Sequence, residues 1–489
     1  MALRARLGPP PPTPRSIWPY HRAKIGSIAA SVLFSADRRM EAETYLSSGF
    51  GIRTAIQSKP RGWSYFRQVA KVWMPNRLKG ILVSPEYGTP FFSATQVFDM
   101  RPIARKFLAL EKMSGAKNCF VHNGLILVTR SGSVGRPALA HSPHRGVVIS
   151  DDLLRIEALD PKDKGWLYAF LLAPQTRAMT KSAHYGHIIK HLETSHLDAL
   201  PIPKVDDATA LDFSKRVAKI LELRNEGHRL TLEAESQFEK ALGPLAVKDW
   251  GEEGFTVKAS KCLLSGRRRL DAARHNPGVA TIRRFLGKYG QGFSTLPEAG
   301  YGVWVPGRYK RIPAEDGVIY RDSADLLEVN PDLPKRYADC KFGDRYRGRV
   351  KNGWILVACS GQVYGIIGTA ILATQALDNQ VVSNHVLRAA PKIGSVPAGY
   401  IVTALTHPLF GRPIVKALAF GSSVPEINGD DLAELPIVRL ESSEEAAIAE
   451  LAEASAKSRA AADVLEREMT ADAERIIGKF IAGGRPQLR

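Results

Sequence analysis

The chain has 489 residues, with 68 Lys and Arg against 49 Asp and Glu, a formal charge of +19, and 44% hydrophobic residues. That length predicts two or three domains with proper cores, and the charge excess points to a polyanionic partner, nucleic acid before membrane surface. The four cysteines (Cys119, Cys262, Cys340, Cys359) form no C-x-x-C pair, which argues against a disulfide framework or cysteine zinc site and suits a reducing cytoplasm.

No apolar run reaches the ~20 residues needed to span a bilayer. Residues 1–30, with "PPPPTP" from Pro9 to Pro14, read as an extended tail. Basic residues before "IGSIAASVLF" (Ile25 to Phe34) imitate a short signal core. However, "SVLFSADRRM" (Ser31 to Met40) aligns with "KCLLSGRRRL" (Lys261 to Leu270), so this apolar run is expected to be the first strand of a repeat.

The repeat is the strongest signal in the chain. "NGLILVTRSGS-VG" (Asn123 to Gly135) answers "NGWILVACSGQVYG" (Asn352 to Gly365), at an offset of 352 − 123 = 229. "RRMEAETY" (Arg38 to Tyr45) answers "RRLDAARH" (Arg268 to His275), and "VVISDDLLR" (Val147 to Arg155) answers "VVSNHVLR" (Val381 to Arg388). "GWLYAFLLAP" (Gly165 to Pro174) answers "GYIVTALTHP" (Gly399 to Pro408). "YGHIIKHLETSHLDALPIP" (Tyr185 to Pro203) answers "FGSSVPEINGDDLAELPIV" (Phe420 to Val438).

Each copy mixes short β-type runs ("KGILVSP", "GVVIS", "WILVA") with glycine turns and helices such as "KGWLYAFLLA". A long helix follows each. In the first, Phe213, Val217, Ile220, Leu223, Gly227, Leu230, Ala234, Phe238 and Ala241 recur at steps of three or four. In the last, Leu451, Ala454, Ala461, Leu465, Met469, Ala473, Ile476 and Phe480 do so with one step of seven. Such stripes need a partner. At ~1.5 Å per residue each helix would reach about 60 Å, so the economical arrangement pairs them antiparallel with the globular parts at opposite ends. The fold class is therefore α+β. Two mixed α/β domains (31–205 and 255–440) are each followed by a helix (206–243 and 441–483), and the helices pair as a coiled-coil spacer.

Catalytic signatures are absent. There is no G-x-x-x-x-G-K-[ST] loop, no G-x-S-x-G elbow and no H-E-x-x-H helix. The Asn-Pro-Pro-aromatic tetrapeptide of amino-methyltransferases is also missing, since Asn-Pro occurs only in "HNPG" and "VNPD". His184, His187, His191 and His196 have spacings that suit a metal. The other copy carries Ala419, Ser422, Glu426 and Asp431 there, so exposed histidines near an anionic ligand are the simpler expectation. "SGSVG" lacks the third glycine of a dinucleotide fingerprint. Around its fixed frame Arg130 becomes Cys359, Ser133 becomes Gln362, and Tyr364 is added. One scaffold with different polar side chains is how two modules would read different base edges.

This ordered duplication resembles the specificity subunit of type I restriction-modification systems over residues 31 to 482. The carriers are "RRMEAETY"/"RRLDAARH", "ILVTRSGSVGR"/"ILVACSGQVYG", "YGHIIKHL"/"FGSSVPEI" and "LPIP"/"LPIV". The resemblance implies two target recognition domains, each reading half of a split sequence in double-stranded DNA. It implies a non-catalytic chain without a cofactor of its own, bound to two methyltransferase subunits that carry S-adenosylmethionine. Through these it would meet motor-nuclease subunits that use ATP and Mg. The expected DNA contacts are Arg130, Ser131, Ser133, Arg136, His187 and Lys190 in the first copy. Ser360, Gln362, Tyr364, Ser422 and Ser423 are those in the second. The alternatives are a related system with a fused nuclease-methyltransferase partner and a protein-binding scaffold.

Overall fold

The computed structural model describes residues 42–78, 80–112, 115–183, 191–245, 254–264, 268–308, 310–331, 335–338 and 348–483. The fold is mixed α+β. Its first half has an inner antiparallel sheet, in the spatial order Ala70–Trp73, Leu153–Ala158, Ile126–Thr129, Pro137–Leu139. The second half has the same order: Tyr301–Trp304, Val386–Pro391, Ile355–Ala358, Ala370–Leu372. The central runs Ile126–Thr129 and Ile355–Ala358 are buried at every position. That burial is why they read as unbroken apolar stretches rather than alternating ones.

A smaller outer sheet flanks each inner one. In the first half Thr89–Phe92 pairs antiparallel with Lys106–Leu108 and parallel with Val148–Ile149. In the second, Pro313–Arg321 pairs antiparallel with Lys335–Tyr337 and parallel with Val381–Val382. A third pairing closes each half: Trp63–Tyr65 with Pro201–Pro203, and Phe293–Ser294 with Ile437–Val438. The expected strand at Ser31 to Met40 lies outside the described residues. Its aligned counterpart is a correction, because Ala259–Leu263 is a short helix closed by Leu264 N–H donating to the Ser260 carbonyl. Leu263 and Leu264 are exposed there, so no neighbouring sheet edge captures the segment as a strand.

Asp207–Leu242 and Ser442–Ala482 are the two long helices, of 36 and 41 residues. The Asp206 carboxylate accepts from Thr209 N–H at the start of the first, and Gly243 at φ 82° ends it. The helices pack against each other antiparallel. Arg216 meets Asp472, Arg224 meets Glu466, and Gly227 and Thr231 meet Ser455 and Arg459. Each helix serves both halves. Phe213, Val217 and Ile220, with Met469, Ala473 and Ile476, enter the core of the first half. Ala234, Phe238 and Leu242, with Ile448 and Ala449, enter that of the second.

A duplicated glycine makes this contact close. A Cβ at Gly165 would lie 2.1 Å from Ser214 N of the central helix, and one at Gly399 would lie 2.4 Å from the Ala449 carbonyl oxygen of the C-terminal helix. The short helices Lys164–Leu172 and Ala398–Thr406 can therefore lie backbone to backbone on their long partners.

The buried faces differ from the apolar stripes at several positions. Arg224, Ser455 and Glu466 are buried, whereas Ala461 is exposed and Ala462 is fully covered. The reason is pairing: Arg224 and Glu466 are 5% and 0% exposed and satisfy each other, and Tyr168 donates to the same Glu466 carboxylate. Burial works against the Arg224 charge, and Glu466 and Asp463 more than offset it, so its pKa stays raised. Burial, followed by the Glu466 charge, pushes the Tyr168 phenol well above its ordinary range. Glu466→Ala leaves the buried Arg224 guanidinium with Asp463 alone, at 3.2 Å, and takes the acceptor from the Tyr168 hydroxyl, and is expected to cost about 3 kcal/mol. Urea unfolding of the full chain measures it; a loss within the range of a surface substitution would contradict the role.

Candidate nucleic-acid interface

The repeated glycine turn sits at the end of the buried strand in each half, where three loops meet. In the first half Arg130 N–H donates to the Asp152 carbonyl and Leu192 N–H donates to the Arg130 carbonyl, both at 2.8 Å. In the second, Cys359 N–H donates to the His385 carbonyl at 3.0 Å and Ile427 N–H to the Cys359 carbonyl at 2.8 Å. These are equivalent bonds, so one main-chain junction recurs with Arg130 at its centre in one half and Cys359 in the other. Burial pushes the Cys359 thiol up to about 11, which leaves it an inert space-filler.

The hydrogen bonds also correct the alignment of the turn. Gly135 N–H donates to the Thr129 carbonyl, and the matching donor to the Ala358 carbonyl is Gly368, not Gly365. The offset grows from 358 − 129 = 229 to 368 − 135 = 233, so the second turn is four residues longer. Gly135 and Gly368 have φ of 77° and 74°. A Cβ would strike the Thr180 hydroxyl at 2.4 Å in the first case and a Val415 methyl at 2.9 Å in the second. Positive φ and close approach together demand glycine at both.

In the second half the structure brings the expected residues to one surface. Ser360 Oγ lies 2.9 Å from His385 Nδ1 and 3.4 Å from Glu426 Oε1. Gln362 Nε2 donates to the Ser423 carbonyl at 3.3 Å. Reciprocal bonds between Phe420 and Glu426 pinch off a small hairpin, with Ser422 and Ser423 exposed at its tip. Tyr364 stands 68% exposed in the lengthened turn. Beside them a cleft is lined by Trp304, Arg308, Ser360, Asn384, His385 and Glu426. Because the Ser360 hydroxyl contacts both the imidazole and the carboxylate, the acid does not orient the histidine as a hydrolytic triad requires. The group displays donors and acceptors.

The first half is arranged differently. Arg130 pairs with Glu193 at 2.6 Å, Ser131 is half-buried and Ser133 is exposed. His187 and Lys190 lie outside the described residues, as does His184 of the histidine series. Among the described residues no three His, Cys, Asp or Glu side chains gather as a metal site. Arg136 is a correction. It is 7% exposed, pairs with Glu328 of the other half at 2.7 Å, donates to the Val329 and Asn330 carbonyls, and stacks over Phe98 at 3.9 Å. Its guanidinium fastens the two halves and is not available at a surface.

Several supporting residues escaped the sequence reading. Arg155 and Arg388, both 0% exposed, each close one of the aligned blocks. Arg155 donates to the Ile149 and Ser150 carbonyls at 2.8 Å. Arg388 donates to Ser383, Val382 and Gly348 at 2.8, 2.5 and 3.0 Å. Burial lowers the Arg155 pKa to about 10, so it stays charged. Each arginine holds the hairpin that carries Asp152 or His385 to the junction. An arginine kept in both copies on an otherwise apolar strand was the available signal. Arg269, of the "RRLDAARH" block, donates to the Leu418 and Ala419 carbonyls and so sets the root of the Phe420 hairpin.

Arg388→Met would orphan buried carbonyls at about 1–3 kcal/mol each. The expected loss of unfolding free energy exceeds about 3 kcal/mol, and Arg155→Met should match it. Denaturant titration reads both; a near-neutral effect at either would show that the hairpin keeps its shape without the arginine.

No protein-family model matches the sequence, and no curated protein is similar to it. Solved structures do match. The type I restriction-modification S subunit from M. genitalium is 13% identical, covering 88% of this chain and 98% of its own, with a TM-score of 0.35. The HsdS subunit from Thermoanaerobacter tengcongensis is 14% identical, covering 87% and 97%, with a TM-score of 0.24. The type IIG restriction endonuclease BpuSI is 12% identical, covering 35% of this chain and 28% of its own, with a TM-score of 0.25. Structures of type I restriction-modification S subunits are thus similar to this chain along most of its length.

Proposed function

We propose that this chain is the non-catalytic DNA-specificity subunit of a type I restriction-modification complex in the cytoplasm. Each half reads one part of a bipartite duplex site, and the paired helices hold the two parts at a set spacing and dock two methyltransferase subunits. S-adenosylmethionine, ATP and Mg belong to the methyltransferase and motor-nuclease partners. The observation that carries the reading is the recurring three-loop junction. One hydrogen-bonded frame presents Arg130, Ser131 and Ser133 in one half and Ser360, Gln362, Tyr364, Ser422 and Ser423 in the other. His187 and Lys190 are proposed to complete the first set. The net charge of +19 supports a phosphate partner.

If the chain neutralises six or more phosphates, duplex affinity should fall on the order of 10³-fold between 50 and 200 mM salt. In the complex with its methyltransferase, Gln362→Ala with Tyr364→Ala should weaken binding by about 1–3 kcal/mol. Sequence preference should relax in one half of the site only. Fluorescence anisotropy and methylation mapping read these; salt-independent binding, or a change in both halves, contradicts the proposal.

Spacing gives a separate test. Four residues inserted into the central helix alone near Gly227 would leave the Arg224–Glu466 pair and the Thr231–Ser455 pair one turn out of step. Matched insertions in both helices keep the register. They lengthen the spacer by roughly 6 Å, or one to two base pairs at ~3.4 Å each. The unspecified gap should grow accordingly, with the bases read in each half unchanged. An unchanged gap in the methylation map would mean that the direct contact between the halves sets the distance.

A further inference from the structure

Between the two halves and the two long helices lies a cavity of about 160 Å³, lined in part by Gly365 and Ile366 at the base of the second turn but not by Ser360, Gln362 or Tyr364. That is roughly the volume that holds a single aromatic ring. Met100 from the first half, Leu326 and Val402 from the second and Ala456 from the C-terminal helix give it apolar walls. Arg105, Arg321, Arg412, Arg459 and Arg467 also line it.

Asp99, Glu235, Asp325, Glu328 and Asp463 line the same cavity, and four of them are already paired with a cation. Glu235 is bonded to Arg101, Glu328 to Arg136, Asp463 to Arg224, and Asp325 faces Lys335. Asp99 lies 3.8 Å from Arg105, and burial lifts its pKa to about 7, so it neutralises that arginine only in part. Among the described residues, Arg321, Arg412, Arg459 and Arg467 have no carboxylate within ion-pair distance. Neutral groups hold three of them in place. Arg321 donates to Gln380, Arg412 to Thr369 at 3.2 Å, and Arg459 to Thr231 at 2.6 Å. Burial, with Arg101, lowers the Arg459 pKa to about 10 against the pull of Glu235 and Asp463, and burial followed by Arg467 lowers that of Arg321 against Asp325, Asp463 and Asp322. The lining carboxylates offset these charges only in part, and crowded guanidinium groups in a half-dry cavity are costly while compensation is incomplete.

We propose that this cavity is a binding site for a small organic anion, its phosphate- or sulfate-type group held by Arg321, Arg412, Arg459 and Arg467 and its single-ring body packed between the halves. The planar guanidinium fork suits such oxyanions. Because the walls come from both halves and both helices, the ligand would stiffen their junction.

The test is calorimetric titration of the full chain with phenylphosphonate, which combines one ring with a dianion. Inorganic phosphate and benzyl alcohol serve as its separate parts. One site per chain is expected, with phenylphosphonate at least about tenfold tighter than either part. Arg412→Gln and Arg467→Gln should each weaken it by about tenfold or more. Without ligand these variants should melt at the same temperature as the parent or higher, because like-charge repulsion is relieved. A purely structural arginine would instead lower the melting point. No saturable binding, equal binding of phosphate alone, or indifference to both substitutions would overturn the proposal. So would loss of duplex affinity in Arg412→Gln without any phenylphosphonate site, since the cluster would then serve the DNA backbone.

Discussion

The Arg224–Glu466 ion pair, buried between the long helices and capped by the Tyr168 hydroxyl, is the constraint on which the rest of the molecule hangs. Apolar stripes alone would let two such helices slide by a turn with little penalty. A buried guanidinium and a buried carboxylate admit only the register in which they meet, because any other strands a charge away from water. Tyr168 extends the constraint into the first half, since it lies on the short helix that Gly165 allows against the central one. The second half is seated from the opposite side, through Gly399 against Ala449.

A second link joins the halves directly. Met100 N–H donates to the Leu327 carbonyl, and Val329 N–H donates to the Phe98 carbonyl, both at 2.7 Å. The partners are related by the repeat itself: 327 − 98 and 329 − 100 are both 229. The same segment of each copy thus pairs with its counterpart, as across the two-fold axis of a dimer. Arg136 breaks the symmetry. It crosses to Glu328, the residue opposite Asp99, while its own counterpart after the lengthened turn is Thr369. A covalently joined pair can specialise one side of such an axis, which two identical chains cannot.

At the glycine turns the two copies keep their frame and change their display. The main-chain junction around Arg130 and Cys359, the glycines at its base and the buried arginines behind it are common to both. What differs is carried where the frame imposes nothing: on the four extra residues of the second turn and on the tip of the Phe420 hairpin. That division separates the energy that holds the loops from the side chains available to a partner, so the latter can vary without unfolding the former.

The sequence by itself determined the duplication, the α+β class and the two long helices. These follow from local chemistry: repeated blocks at near-constant offset and apolar periodicity near 3.6. It also marked the Ser360, Gln362 and Tyr364 loop, because polar exchange around fixed glycines is visible without coordinates. Only tertiary structure decided the fate of individual charges. Arg130 and Arg136 look alike on paper, yet one meets Glu193 beside the surface loops and the other is spent between the halves. Arg224 and Glu466 look like solvent-facing residues until the partner helix is present. The four-residue lengthening of the second turn could be placed only by hydrogen-bond register. Charges are satisfied by partners far away in the chain, and neither periodicity nor spacing records which partner will arrive.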